Sequence, residues 1–282
     1  MSFIRNVSLA CRSRLDEINT KNNKKLLTNS FFAGGVITSI CKGEKVKDYD
    51  LFFSDFDLLK SIVDYNLGFH NYGASFSIKK EVDPKNPKLE RAVLYKKPDV
   101  YGNLSVDEFI EEFNKYSKNW GGAIKPTYLS HNALSFSNGV QAIFRFIGEP
   151  EEVFTTFDYE HCKTFWRPSA LGVSDGKVEF LGKSLESLAK NELIYTRNTR
   201  FVLSAISRLN KFISRGWGVA PSSLLSIAAS ASKVDWNNKE VLREELLGIY
   251  GISPTTLNVI LDLASREQEV NLDKVIEMLG EV

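Results

Sequence analysis

Two apolar runs in residues 31–53 are each bounded by residues that apolar runs usually exclude. The stretch reads Phe31-Phe32-Ala33-Gly34-Gly35-Val36-Ile37-Thr38-Ser39-Ile40-Cys41, continues through a lysine-rich segment, and ends Lys47-Asp48-Tyr49-Asp50-Leu51-Phe52-Phe53. The first run stops at the glycine pair and a short helix-like stretch carrying Ser39 follows. Glycines at a strand-to-helix turn bring bare backbone N–H groups towards an anion such as a phosphate. Asp48 and Asp50 head the second run. Successive strand side chains alternate, so the i, i+2 spacing predicts both carboxylates on one face. Two adjacent carboxylates repel, and a divalent cation removes that conflict. Hard oxygen ligands suit Mg²⁺ or Mn²⁺. The alternative from the same residues is a solvated turn leading into a strand, since Asp and Gly are common turn residues.

Around this stretch the chain changes character once. Up to about residue 182 it mixes strand-like and helix-like segments. Residues 30–33 and 49–53 read as strands, 35–42 as a helix, and Asp55 as the cap of a helix carrying Leu58, Leu59, Ile62 and Val63. Strands are expected at Ala74–Ile78 and Ala92–Tyr95, on either side of the Asp83-Pro84-Lys85-Asn86-Pro87 turn. Ser105 and Glu108 form a capping-box signature. Asn138-Gly139 marks a hairpin between 133–137 and 140–147. A helix is expected from Glu149 through Phe157 and a strand over Asp158–Trp166. From Lys183 onward the periodicity is helical, with segments at 184–195, 198–215, 220–232, 238–249, 254–265 and 271–280. The expected architecture is therefore α+β: a mixed-sheet head over 1–182 and an all-α domain over 183–282.

Apolar run, Gly-Gly, about a dozen residues, then Asp-x-Asp among apolar residues resembles the DNA polymerase β superfamily of nucleotidyltransferases. The wording is nearest to the head domains of tRNA nucleotidyltransferases and poly(A) polymerases and to phage-encoded relatives. The resemblance implies a metal-dependent transfer of NMP from an NTP, such as ATP, to an acceptor. Gly34, Gly35 and Ser39 would hold phosphates, and Asp48 and Asp50 would hold Mg²⁺ (or Mn²⁺). The acceptor it implies is an RNA 3′ end, most simply that of a tRNA. The superfamily normally adds a third carboxylate on a neighbouring strand. The matching strand, Val140–Phe146, offers Gln141 instead. Asp158 is the expected substitute, as catalytic residue and metal ligand, with Glu160 behind it. The alternative for Asp158 is structural, as a helix-to-strand cap or as a partner for Arg145 or Lys163.

In the helical part, Phe201, Ala205, Leu209, Phe212 and Ile213 should face a core, with Arg208, Lys211 and Arg215 on another face. The stretch is loosely similar to the helix after the catalytic head in CCA-adding enzymes. Arg208 and Lys211 are expected to contact nucleotide or RNA backbone; a solvated, salt-bridged face is the alternative. The net charge of +1 rules out a chain that is polybasic throughout, so any basic surface is local. The three cysteines are scattered and fit a reducing, cytoplasmic setting. Adjacent His161-Cys162 does not have zinc-ligand spacing. No apolar run reaches the length of a membrane span. Two further readings stay open: a catalytically inactive member of the fold that binds RNA or protein, and nucleotidylation of a protein or small molecule.

Overall fold

The computed structural model describes residues 2–18, 29–68, 75–84, 86–98, 104–117, 119–121, 124–168, 176–197, 199, 201–247 and 262. It divides into two compact units. One comprises residues 1–155 and 161–185; the other comprises residues 156–160 and 186–282.

The first unit is built on a mixed sheet. Helix α1 (Ser2–Glu17) leads in, followed by β1 (Ser30–Ala33), α2 (Gly35–Cys41), β2 (Tyr49–Phe53) and α3 (Phe56–Gly68). The hairpin β3 (Phe76–Asp83) and β4 (Asn86–Lys96) precedes α4 (Val106–Ser117). Then come β5 (Pro126–Leu129), β6 (Ala133–Phe136), β7 (Val140–Ile147), the short α5 (Pro150–Val153), β8 (Thr164–Arg167) and β9 (Lys177–Phe180). The strand order is β3-β4-β7-β2-β1-β8-β9, and β5–β6 joins through β7. β2 runs parallel to β7 and antiparallel to β1, so it is paired along both edges.

Alternation along these strands sorts the side chains. Phe32, Leu51, Phe53, Val140, Ala142, Phe144 and Trp166 belong to the main core, with residues of α1, α2, α3 and α4. The other parity builds a second aromatic cluster. Phe31 stacks on Phe52 at 5.5 Å, and Phe154 and Phe165 meet it edge-on at 6.1 and 5.8 Å. Burying one such ring contributes roughly 1.5–3 kcal/mol, so the sheet is held from both faces. Asp55 accepts a hydrogen bond from the Leu58 amide at 3.0 Å, capping α3. Ser105 and Glu108 exchange the two hydrogen bonds of a capping box at the start of α4. The Ser105 backbone N–H holds the Glu108 carboxyl below its usual range.

The second unit is mostly helical. Helix α6 (Ser184–Lys190) carries the division between the units, and β10 (Glu192–Leu193) pairs in parallel with β11 (Gly218–Val219). Helices α7 (Val202–Ile213), α8 (Pro221–Ala231) and α9 (Lys239–Leu247) complete it. Val202, Ala205, Leu209 and Phe212 of α7 are buried, whereas Ile213, expected in the core, is exposed. Glu245, itself buried, accepts from the Leu203 amide at 3.0 Å. A carboxylate at that point suits the positive end of α7. The parallel β10–β11 pair escaped the sequence reading because two-residue strands carry no periodicity. The helices expected at 254–265 and 271–280 lie outside the described residues, apart from Asp262.

Two other expectations are corrected. The helix expected through Phe157 ends at Val153 and tightens into a 3₁₀ turn at Phe154–Thr156. The strand expected over Asp158–Trp166 is a single bridge between Tyr159 and Tyr195, a 3₁₀ turn at Glu160–Cys162, and β8 only from Thr164. Among the described residues no helix is long and apolar enough to cross a membrane.

Candidate functional site

The sheet unit places Asp50 inside β2, cross-strand from Ala33 on one side and Gln141 on the other. Gln141 is in turn opposite Ser135. Residues directly opposite in a ladder share a face, so Asp50, Gln141 and Ser135 form one polar row. That row is on the side away from Leu51 and Phe53, which alternation commits to the main core. Asp50 is half-buried.

The glycine pair turns back onto this carboxylate. Gly34 caps α2 with φ +78° and ψ −139°, a conformation that side-chain-bearing residues rarely adopt. A Cβ at Gly34 would sit 3.4 Å from Oδ2 of Asp50, so the turn and the carboxylate are in close approach. A Cβ at Gly35 would meet nothing within 4 Å. Ser39, one turn into α2, is 6% exposed and its carbonyl accepts from the Glu44 amide.

Asp48 stands one residue before β2 and is exposed. The strand ladder therefore fixes a face for Asp50 and does not include Asp48. The residues around it are tied down. The Tyr49 amide donates to the Gly139 carbonyl at 2.9 Å. Arg14 of α1 bonds Glu17 at 3.0 Å and lies over the Tyr49 ring at 5.4 Å. Asn138 donates to Glu17 at 3.0 Å. That bond, followed by Arg14, holds the Glu17 carboxyl below its usual range. Helix α1 thus fastens the β6–β7 turn and the entry to β2 together.

Asp158 belongs with the helical unit. It is 5% exposed, and its two carboxylate oxygens are taken by the Arg208 guanidinium and the Thr199 hydroxyl. Its backbone carbonyl accepts from Thr196 at 2.9 Å. Among the described residues, no three of His, Cys, Asp and Glu come together as a group that could hold a metal. The structure thus corrects the expected strand position of Asp158 and gives its charge a local partner. That partner is Arg208, one of the two expected nucleotide contacts. Lys211 is exposed on α7, and Arg215 lies beyond the helix end, over the Phe212 ring at 5.8 Å. Burial, with the charges of Asp158 and Glu245 acting in the same direction, pushes the nearby Tyr195 phenol up. Trp166 and Trp217 are buried and serve packing rather than stacking on a base. Thr199 and Ser135 were missed by sequence reasoning. Only cross-strand register identifies Ser135, and Thr199 differs in no way from other threonines until the fold brings it to Asp158.

The residues present fit a divalent cation in part. Asp50 and Asp48 offer carboxylate oxygens, Gln141 an amide oxygen in register with Asp50, and the Gly34 turn leaves open the space that a Cβ would fill. A triphosphate brings further oxygens of the same hard type.

Comparison with known proteins adds the following. A family profile described as Gabija anti-defense 2 family protein matches residues 6–191. The protein Gabija anti-defense 2 of Bacillus phage SPbetaL7 is 21% identical over 142 residues, covering 49% of this chain and 32% of that one. The chain thus spans about a third of the length of that curated relative. Among solved structures, the Bacillus stearothermophilus CCA-adding enzyme in complex with CTP aligns at 13% identity and TM-score 0.38, over 82% of this chain and 47% of that chain. The Thermotoga maritima CCA-adding enzyme complexed with tRNA aligns at 12% identity and TM-score 0.41, over 90% and 54%.

Proposed function

The chain belongs to the Gabija anti-defense 2 family, and from that premise we propose that its sheet unit is a metal-dependent nucleotidyltransferase. It would transfer NMP from a nucleoside triphosphate to an acceptor, first among them an RNA 3′ end such as that of a tRNA. The observation that carries this reading is the close approach of the Gly34 turn to the Asp50 carboxylate on a strand paired along both edges. An anion-binding turn beside a cation-binding carboxylate is what a metal–triphosphate complex requires.

In this reading Gly34 and Gly35 present backbone N–H groups to the phosphates, and Ser39 supports the turn from within α2. Asp48 and Asp50 hold Mg²⁺ or Mn²⁺, which when bound neutralises charge developing on the phosphate oxygens. Gln141 orients the Asp50 side of the site. The chain's own contribution is positioning and preorganised charge. Asp158 keeps Arg208 in place, and Arg208 and Lys211 offer positive charge to a phosphate backbone. The name of the phage relative states that it acts against a defence called Gabija. We carry that role over as the biological purpose of the transfer.

One observation favours a second reading. Gln141 occupies the cross-strand position beside Asp50 where an acid would complete a three-carboxylate set. A non-catalytic protein that keeps the fold and binds RNA or protein would accept that residue. One experiment decides. The purified chain is incubated with each α-labelled NTP, Mg²⁺ or Mn²⁺, and in turn total RNA and a lysate of infected-host proteins. Label transferred to RNA supports the first acceptor; label on a protein moves the acceptor and keeps the chemistry. No transfer under any combination, together with no Mn²⁺- and triphosphate-dependent thermal shift, selects the non-catalytic reading. Asp50→Asn should abolish transfer. Losing a carboxylate–metal interaction worth several kcal/mol lowers the rate by about a thousandfold or more.

A further inference from the structure

The helical unit contains a cleft of its own. It encloses about 350 Å³ and is lined by Arg197, Ser222, Leu225, Ser226, Ala229, Ser230 and Lys233. That volume falls in the range of small-ligand sites, about 300–1,000 Å³. Its charge is one-sided, with two cations and no carboxylate in the lining.

The cations are held differently. Nε of Arg197 donates to the Ser226 hydroxyl at 3.0 Å. This is one of the five donors a guanidinium carries, and it fixes the group against α8. Arg197 also has φ +63°. A non-glycine residue there stores backbone strain that the surroundings must offset. The Lys233 ammonium has no ion-pair partner among the described residues. The serines at 222, 226 and 230 are four apart and form one stripe of α8. Ser226 donates to the Ser222 carbonyl at 2.6 Å and Ser230 to the Ser226 carbonyl at 2.9 Å. The protons of Ser226 and Ser230 are committed to the helix, so Arg197 and Lys233 are the charged groups of the lining that would meet an anion. Leu225, 73% exposed, and Ala229 give the cleft an apolar side.

We propose that this cleft binds the phosphate of a nucleotide, free or within an RNA strand, between Arg197 and Lys233, with its sugar against Leu225 and Ala229. Two cations match the charge of a phosphate, and a bidentate guanidinium suits its oxygens. The apolar wall sets this ligand apart from a bare inorganic anion. The proposal draws only on residues of the helical unit and does not depend on that reading.

The test uses the full chain carrying Asp50→Asn, so that no arm turns over. Binding of a labelled ten-nucleotide single-stranded RNA is followed by anisotropy, and of ATP and inorganic phosphate by calorimetry. Ala229→Glu puts a carboxylate into the cleft at an exposed helical position that Glu tolerates, and Lys233→Gln removes one cation. Both variants are checked for an unchanged melting temperature. Expected is at least a tenfold loss of RNA or ATP affinity in Ala229→Glu. For RNA, Lys233→Gln should also flatten log K against log salt by about 0.7. Loss for RNA alone assigns the phosphate to a strand, and loss for ATP alone assigns it to a free nucleotide. Unchanged RNA and ATP binding in both variants, or an effect confined to inorganic phosphate, overturns the proposal.

Discussion

Replacing Gly34 with alanine separates two demands on one residue. The first is conformational. At φ +78° and ψ −139° an L side chain costs about 1–3 kcal/mol. For a chain of this size each kcal/mol lowers Tm by roughly 2–4 °C, so Gly34→Ala should melt on the order of 2–12 °C lower. The second demand is spatial. The new Cβ would stand 3.4 Å from Asp50 Oδ2, at ordinary contact distance, so it adds little clash but fills the approach to the carboxylate. Gly35→Ala is the control. Its Cβ meets nothing within 4 Å, and alanine is favoured over glycine in a helix by up to about 1 kcal/mol. Circular dichroism melts should therefore show Gly34→Ala falling and Gly35→Ala holding or rising. Mn²⁺-dependent triphosphate binding, measured well below the melt, should weaken in Gly34→Ala. If the two variants melt alike, the left-handed conformation at Gly34 is not what holds the turn. If Gly34→Ala melts lower yet binds triphosphate as well as the parent, the turn has no part in the site.

Three further predictions follow from packing and charge. Gly176→Ala would place a Cβ 2.2 Å from Cε2 of the fully buried Trp166, and overpacking of this kind costs about 1–3 kcal/mol or more; an unchanged urea midpoint would disprove the contact. Arg208→Met should destabilise the helical unit by about 1–3 kcal/mol, a range kept modest because the arginine is half-exposed, and Asp158→Asn in the same background should recover part of the loss; equal stability of Arg208→Met and parent would remove the pair from the structural account. Burial raises the Tyr195 pKa above its ordinary value of 10.0. The stability linked to it is present below the unfolded pKa and lost as pH rises through the folded pKa. Tyr195→Phe should therefore flatten the alkaline loss of stability above about pH 10, and identical alkaline profiles would refute this.

Much of the sheet unit was legible because its signals are local. Short apolar runs marked β1 and β2, Asn138-Gly139 marked the β6–β7 turn, and Ser105 with Glu108 marked the start of α4. The neighbour of Asp50 was less legible. Gln141 could be read as a strand residue, but its place directly beside Asp50 depends on the parallel register of β2 and β7, which periodicity does not encode. Asp158 was misread as a strand residue because its aromatic neighbours mimic strand composition. Those rings instead pack Tyr159 among Tyr195 and Phe212 of the helical unit. Tertiary packing overrode local propensity there. The arginine strip was correctly placed on α7 as far as Lys211, but its pairing with a carboxylate fifty residues earlier could not be seen in sequence.

The short segment Thr156–Glu160 bears on how the chain can be divided. Its neighbours in sequence belong to the sheet, yet Tyr159 donates to the Ala205 carbonyl at 2.7 Å and Glu160 donates its amide to the Ile194 carbonyl at 2.9 Å. A cut near residue 182, where the periodicity changes, would carry this segment away from those acceptors. A buried phenol ring would be left in water and the Asp158 charge without its arginine. The helices would meanwhile lose a side chain that fills their interior, so the tail would be an incomplete object as well. Dissection by truncation thus confuses loss of a function with loss of a foundation. Point substitutions in the intact chain are the sounder way to assign work to either half.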